Sequence, residues 1–258
     1  MALRDTLLRP LYRLYEDRLV RSLDRTALPH HIGVIHDGHR RFARQAGLPT
    51  LAAGYRMGMD KFVEFIGWCE DLQIPAVTCW LLSKENLERP AEELAPYYEV
   101  LVDLFERLPE VDEDVRFGVI GSLHLLPDGL RSAAERLVQR SPANGRRITI
   151  ALGYGGRQEI VDAVRDLIGK MAADGLDAAE IAERVDADSL AGHLYTADLP
   201  DPDLVIRTSG ESRLSGFLLW QAAYAEYSFV DVYWPEFRRV DFLRALREFT
   251  RAERRFGR

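Results

Sequence analysis

The sequence predicts a single α/β domain built on a central, mainly parallel six-stranded sheet flanked by helices. Three observations predict it. Short apolar runs alternate with segments whose apolar residues repeat at helical spacing, the pattern of a parallel sheet covered on both faces. No linker, low-complexity tract or internal repeat divides the 258 residues, a length that one large domain can fill. Four of the apolar runs end in polar turns of similar chemistry, as expected where strands deliver side chains to one edge of a sheet.

Hydrophobic residues make up 47% of the chain and charged residues 29%, enough for a sizeable core under a solvated surface. The net charge of −7 argues against a general nucleic-acid binder. Basic residues other than Lys61, Lys84 and Lys170 are all arginine. Abundance of that kind reflects genome composition, so only the positions of the arginines carry information. Cys69 and Cys79 sit in apolar settings and form no Cys-x-x-Cys pair, which predicts buried thiols in a reduced, cytoplasmic protein. No apolar run is long enough to span a bilayer, and no signal-peptide pattern opens the chain.

Residues 3–23 repeat leucines at helical spacing among arginines and form an amphipathic segment, with 1–27 read as an N-terminal helix before the core at 28–250. Such a helix packs on its own domain or on a partner subunit; the alternative is peripheral contact with the inner face of a membrane. The first strand runs from His31 to His36 and stops at Asp37-Gly38. A loop reaches Gly54, and a helix follows from about Tyr55 to Leu72. A second strand over 76–82 ends in Ser83-Lys84-Glu85-Asn86. Pro90, Glu92 and Glu93 open a helix running to Leu108. Val115–Ile120 is a third strand, 128–140 a helix, and Arg147–Leu152 a fourth strand ending at Gly153-Tyr154-Gly155-Gly156-Arg157. A helix starts near Gln158. Helical fragments over 178–185 and 188–193 look peripheral. Leu204-Val205-Ile206 is the fifth strand, a short sixth is expected at Phe229–Val232, and Asp241 caps a last helix through Arg255.

The chemistry collects at the strand ends. The fifth strand opens into Arg207-Thr208-Ser209-Gly210-Glu211-Ser212-Arg213-Leu214-Ser215-Gly216. Guanidinium forks match phosphate oxygens, and hydroxyl and backbone N–H groups complete such a cradle. Alone, this loop reads equally well as surface ion pairs. Joined at one edge by the ends of strands one, two and four, it favours an anionic substrate. Asp37 is the best candidate to hold Mg²⁺, a hard cation that keeps waters and bridges to substrate phosphates; Glu226 is the other carboxylate that the arginine loop organises. His30, His31, His36 and His39 invite a zinc reading, but strand alternation stops them converging on one ion. Phosphate-loop, dinucleotide and serine-hydrolase signatures are missing from the sequence. Ser83 and Asn86 suit hydrogen bonding at a reacting centre or, equally, a turn and helix cap. The helices over 55–72 and 91–108 are apolar enough to pack tightly or to enclose a substrate tunnel.

These motifs together resemble the cis-prenyltransferases, the undecaprenyl diphosphate synthase family. The resemblance is carried by His31 with Asp37-Gly38 and Arg41; by Ser83, Glu85-Asn86 and Arg89-Pro90; by Tyr154 to Arg157; and by the highly specific block from Asp203 to Gln221 followed by Tyr224 and Glu226. The segment at 1–27 and the bulk of Leu81 and Leu82 resemble the actinobacterial short-chain branch. The resemblance implies a homodimer that joins isopentenyl diphosphate to an allylic diphosphate, with a cis double bond formed and pyrophosphate lost. It implies Mg²⁺ on Asp37 and Glu226. An allylic cradle of Gly38, His39, Arg40 and Arg41 is implied, and an isopentenyl diphosphate clasp of Arg207, Arg213 and Ser215, with Phe42, Tyr55 and Leu214 as further substrate-binding residues. Asn86 becomes the proton acceptor, with Ser83, Lys84, Glu85, Leu87 and Arg89 around it.

The chain departs from the family pattern at His39, usually asparagine, at Phe42 and Leu87, usually tryptophan, and at Tyr55, where longer-chain members carry histidine. Titration of His39 near neutrality would add pH dependence. Leu81 and Leu152 are bulky where a tunnel would pass, which predicts a short product, near C15, from a C10 primer such as geranyl diphosphate. The alternatives are a longer-chain synthase, a head-to-middle synthase of lavandulyl type, and a non-catalytic partner subunit.

Overall fold

A computed structural model describes residues 14–111 and 113–251 of the chain. Residues 14–22 are helical (α1); the first part of the expected N-terminal helix and the end of the last one lie outside the described residues. The strands are β1 (His31–Ile35), β2 (Ala76–Ser83), β3 (Val115–Ile120), β4 (Arg146–Tyr154), β5 (Leu204–Arg207) and β6 (Glu226–Phe229). They form one sheet in the order β3-β4-β2-β1-β5-β6, and every pairing is parallel. The single α/β domain with six strands is as expected. The sixth strand begins three residues earlier than its apolar composition suggested.

Helices α3 (Leu51–Asp71), α4 (Ala91–Val111), α5 (Asp128–Arg140), α6 (Gly156–Ala173) and α9 (Arg239–Arg251) flank the sheet, with α2 (His39–Gln45), α7 (Ala178–Arg184) and α8 (Ala187–Ala191) as short additions. Alternation along the strands sorts side chains between two faces. Val34, Leu81 and Ile206 join the main core with Phe62, Leu101 and Phe242, whereas Ile35, Trp80 and Val205 join a second cluster with Tyr154 and Phe217. Burial on both faces is why β1 and β5 read as continuous apolar runs. Both cysteines are buried free thiols. Among the described residues, no helix is long and apolar enough to cross a membrane.

Strand order switches sides at β1: β2 lies on one side and β5 on the other. Clefts outside the carboxyl ends of the strands at such a switch point are where α/β sheets bind ligands. In register, Ile35 lies opposite Trp80 and Arg207. The residues that follow, Asp37, Ser83 and Thr208, therefore emerge together.

Helix α2 occupies part of the stretch before Gly54 where the sequence predicts a loop. It packs on α3 through two glycines: a Cβ at Gly54 would come 2.8 Å from Ala43 Cβ, and one at Gly58 would come 2.2 Å from the His39 ring. His39 is thereby driven against the α3 backbone and is 7% exposed. Burial, opposed by Asp37 and assisted by Arg89, pushes its pKa down to about 4. The titration near neutrality expected from sequence is thus corrected: the ring is neutral there.

A histidine neutral when folded but able to protonate when unfolded stabilises fully above its unfolded pKa of about 6.5, and that contribution is lost as pH falls toward 4. The full span corresponds to about 3 kcal/mol at most. His39→Asn should flatten the fall in melting temperature between pH 6.5 and 4; thermal scans in which wild type and variant fall in parallel would refute this.

Candidate active site

Two residues beyond β1, the backbone of Asp37 is fixed by Thr208, the first residue after β5. Its N–H donates to Thr208 Oγ1 at 3.0 Å, and that hydroxyl lies 2.9 Å from the Asp37 carbonyl oxygen. Gly38 follows at φ +106°, where a Cβ would come 2.5 Å from the Tyr233 ring, so the chain can turn into α2 here only with glycine.

The Asp37 side chain is the hub. Its Oδ2 accepts from Arg207 Nη2 at 2.9 Å, Arg41 Nη2 at 3.2 Å and Ser209 Oγ at 2.9 Å. Burial alone would raise this carboxyl's pKa. The hydrogen bonds from Arg207 and Ser209 and the charges of Arg207 and Arg41 outweigh burial and hold it below the usual carboxylate value. Arg207 itself is 4% exposed. Its other arm donates to Ser215 Oγ at 2.8 Å and to the Arg213 carbonyl oxygen. Around this hub, Glu211 bridges Arg41 at 3.1 Å and Arg213 at 2.5 Å, and Arg40 meets Glu93 at 2.7 Å.

A cavity opens on the hub and a second adjoins it at Asn86. One, of about 360 Å³, is lined by Asp37, His39, Arg40, Arg41, Arg89 and Arg213, with Leu81, Tyr55 and Tyr97 among its walls. Tyr97 donates to the Leu81 carbonyl at 2.7 Å and its ring lies 4.4 Å from that of Tyr55. The other, of about 800 Å³, is lined by Ser83, Lys84, Glu85, Gly155 and Ser215. Asn86 lines both cavities; its N–H donates to Ser83 Oγ at 3.1 Å in a short turn after β2.

Most of the sequence-derived candidates are therefore brought together, but some are not. Phe42 is buried in α2, Leu87 packs against the main core and Leu214 against the second cluster. Leu152 is paired with Leu82 in the main core and lines neither of these cavities. Glu226 is the main correction. It opens β6 opposite Leu204, which is opposite Ile32, so it lies at the amino end of the sheet. That is five register steps from Asp37, roughly 16 Å of strand, so the two carboxylates of one chain do not share an ion. Conversely, sequence reasoning counted Thr208 and Ser209 only among the loop's hydroxyls and gave Glu211 no role, whereas Thr208 and Ser209 hold Asp37 and Glu211 pairs two arginines. The signal was there: they directly follow an arginine that ends a buried strand.

Mg²⁺ still fits one end of this arrangement. Among the described residues, the hydrogen bonds to the Asp37 carboxylate all fall on Oδ2, and its side chain is 30% exposed. No closed cluster of acidic, histidine or cysteine side chains forms among them. A single ionised carboxylate facing an arginine-lined cavity suits a cation that takes its remaining ligands from water and phosphate.

Comparison with known proteins agrees with this geometry. The family model described as putative undecaprenyl diphosphate synthase matches residues 35–257. The (2Z,6E)-farnesyl diphosphate synthase of Thermobifida fusca is 50% identical over 251 residues, covering 96% of this chain and 97% of that protein. Isoprenyl transferase 1 of Corynebacterium diphtheriae is 48% identical over 260 residues, covering 99% and 97%. The crystal structure of lavandulyl diphosphate synthase from Lavandula x intermedia, in complex with dimethylallyl diphosphate, superposes with a TM-score of 0.83 at 32% identity, covering 90% of this chain and all of that one. With arginines, an ionised aspartate and two adjoining cavities at the switch point of the sheet, and with matches of this extent, the chain belongs to the undecaprenyl diphosphate synthase family and is a prenyltransferase.

Proposed function

We propose that the enzyme condenses isopentenyl diphosphate with a short allylic diphosphate, geranyl diphosphate in the first instance, to give a Z-prenyl diphosphate near C15 and pyrophosphate. The observation that carries the short product is the wall of the smaller cavity, where Leu81 sits against the hydrogen-bonded Tyr97 and its partner ring Tyr55. A farnesyl diphosphate synthase at 50% identity supports the same reading.

In this scheme the allylic diphosphate takes the smaller cavity, held by Arg40, Arg41 and the Gly38 turn. Asp37 would hold Mg²⁺ here, and the ion would supply charge neutralisation at the leaving group. The allylic C–O bond breaks with its electron pair leaving on pyrophosphate, and Arg41 and Arg89 stabilise that charge. Isopentenyl diphosphate lies on Arg207, Arg213 and Ser215, its double bond directed at the allylic carbon. The new C–C bond forms as a proton leaves the isopentenyl unit toward Asn86, which lines both cavities. A head-to-middle product is the second reading, favoured by His39 and by the likeness to a lavandulyl diphosphate synthase; the linear or branched form of the product separates the two.

The proposed homodimer has a suitable edge. Outer strand β6 shows Tyr227 and Phe229 at 39% and 44% exposure with their rings stacked, and Tyr224 beside them is 83% exposed. A charged residue there should oppose pairing with a second copy. Nucleic acid is not an expected partner at a net charge of −7.

Labelled isopentenyl diphosphate with Mg²⁺ and C5, C10 or C15 primers should give most incorporation with C10; no incorporation with any primer would sink the reading. Asp37→Asn keeps an acceptor for buried Arg207 but removes the charge, and should lower turnover roughly 10³-fold and also lower the melting temperature, because Arg207 loses its counter-charge; retained turnover in the folded variant would exclude the role given to Asp37. Leu81→Ala should lengthen the product by at least one C5 unit, and an unchanged product spectrum would refute the steric argument. Light scattering should report a dimer for wild type and a shift toward monomer for Phe229→Asp; a monomeric wild type would end the dimer proposal.

A further inference from the structure

Segment 214–221 carries Ser215 of the proposed clasp, yet its backbone is strained. Ser215 and Leu218 lie at φ +52° and +44°, with Gly216 between them at +94°. Non-glycine residues adopt this region only when their surroundings hold them there. The holding group is a polar cluster buried behind the clasp. Glu159, in the first turn of α6, is 1% exposed. Its Oε1 accepts from the Tyr195 N–H at 2.9 Å and from Gln221 Nε2 at 2.9 Å, and its Oε2 accepts from the Tyr154 hydroxyl. Gln221 Nε2 also donates to Thr196 Oγ1 at 2.9 Å. One carboxylate thus ties the end of β4, the start of α6, the turn after α8 and the far end of the clasp segment.

Two further contacts fix the near end of the segment. The Gly156 N–H donates to the Gly216 carbonyl at 2.8 Å, and a Cβ on Gly156 would come 2.5 Å from that oxygen. Phe217 lies stacked on Trp80 at 5.3 Å and edge-on to Tyr154 at 6.0 Å. Tyr154 therefore serves both as Glu159's donor and as the surface under Phe217. From the carboxylate to Ser215 Oγ, and from there to Arg207 at 2.8 Å, the path is a chain of packed and hydrogen-bonded groups.

We propose that Glu159 is a positioning residue for the homoallylic substrate: it holds segment 214–221 in its strained form so that Ser215 and Arg207 meet the diphosphate of isopentenyl diphosphate. The inference rests on the proposed use of Arg207, Arg213 and Ser215 as that clasp. Glu159 touches no substrate; it acts through Gln221, Tyr154 and Phe217. A loosened clasp weakens isopentenyl diphosphate binding and leaves the allylic cradle on β1 and α2 unaffected.

The test is steady-state kinetics with each substrate varied in turn. Glu159→Leu keeps similar bulk but leaves Tyr154, Tyr195 and Gln221 without their acceptor. It should raise KM for isopentenyl diphosphate about tenfold or more while KM for the allylic primer stays within about twofold. Glu159→Gln retains an oxygen for both N–H donors, and its amide can donate to the Tyr154 hydroxyl; it should restore most of the loss. Combined with Ser215→Ala, the Leu variant should be clearly less than additive. If Glu159→Leu does not fold, Gln221→Leu breaks the same link from the segment side and should show the same selective rise. Equal rises in both KM values, or a lower melting temperature with unchanged KM values, would overturn the positioning role. Wild-type protein that incorporates no isopentenyl diphosphate would instead overturn the functional reading itself.

Discussion

The ion pair between Asp37 and Arg207 is the constraint on which the site depends. Adjacent parallel strands β1 and β5 deliver the two groups to the same end of the sheet, at the point where the strand order switches sides. Arg207 is almost fully buried, and a buried guanidinium is stable only when its charge and donors are met. Asp37, Ser215 and the Arg213 carbonyl meet them. The same contacts fix the β5 loop in space and keep Asp37 ionised. Position and charge at the hub are one arrangement, so a change at Arg207 would disturb both.

Outside the hub the arginines are held less firmly, and exposure separates their roles. Arg213 is 63% exposed at its side chain and Arg41 41%, and both lean on Glu211. Ion pairs this close to solvent are worth little and rearrange readily. On the proposed reading, an incoming diphosphate displaces Glu211 from these mobile arginines, while Arg207 stays where the fold put it. Fixed and exchangeable cations in one site allow the anion to enter without leaving a buried charge unpaired at any stage.

Much of this was legible in the sequence because its signals are local. Strand ends, the spacing of Arg207 and Arg213, and the Asp37-Gly38 turn are read from neighbours in the chain. What failed depended on partners far away. The neutral state of His39 is set by Gly58 on α3, which lets the ring lie against helix backbone. Glu226 follows the arginine loop closely in sequence, yet β6 runs parallel to β5, so the chain must return to the amino end of the sheet before starting it. A parallel connection separates such neighbours by a whole strand length, and nothing in the local composition reports that.

The wall beside Leu81 shows how distant contacts also set the limit of a local one. Leu81 was visible in the sequence as a bulky side chain on β2. What braces it is Tyr97 on α4, and the acceptor for the Tyr97 hydroxyl is the Leu81 backbone carbonyl. Trimming the leucine side chain leaves that carbonyl in place. The Tyr97 ring, packed on Tyr55, therefore keeps its position, and the new space is confined to the volume that the leucine occupied. Leu81 and the tyrosine pair thus both wall the same cavity. A much deeper tunnel would require loss of the tyrosine pair as well as of Leu81.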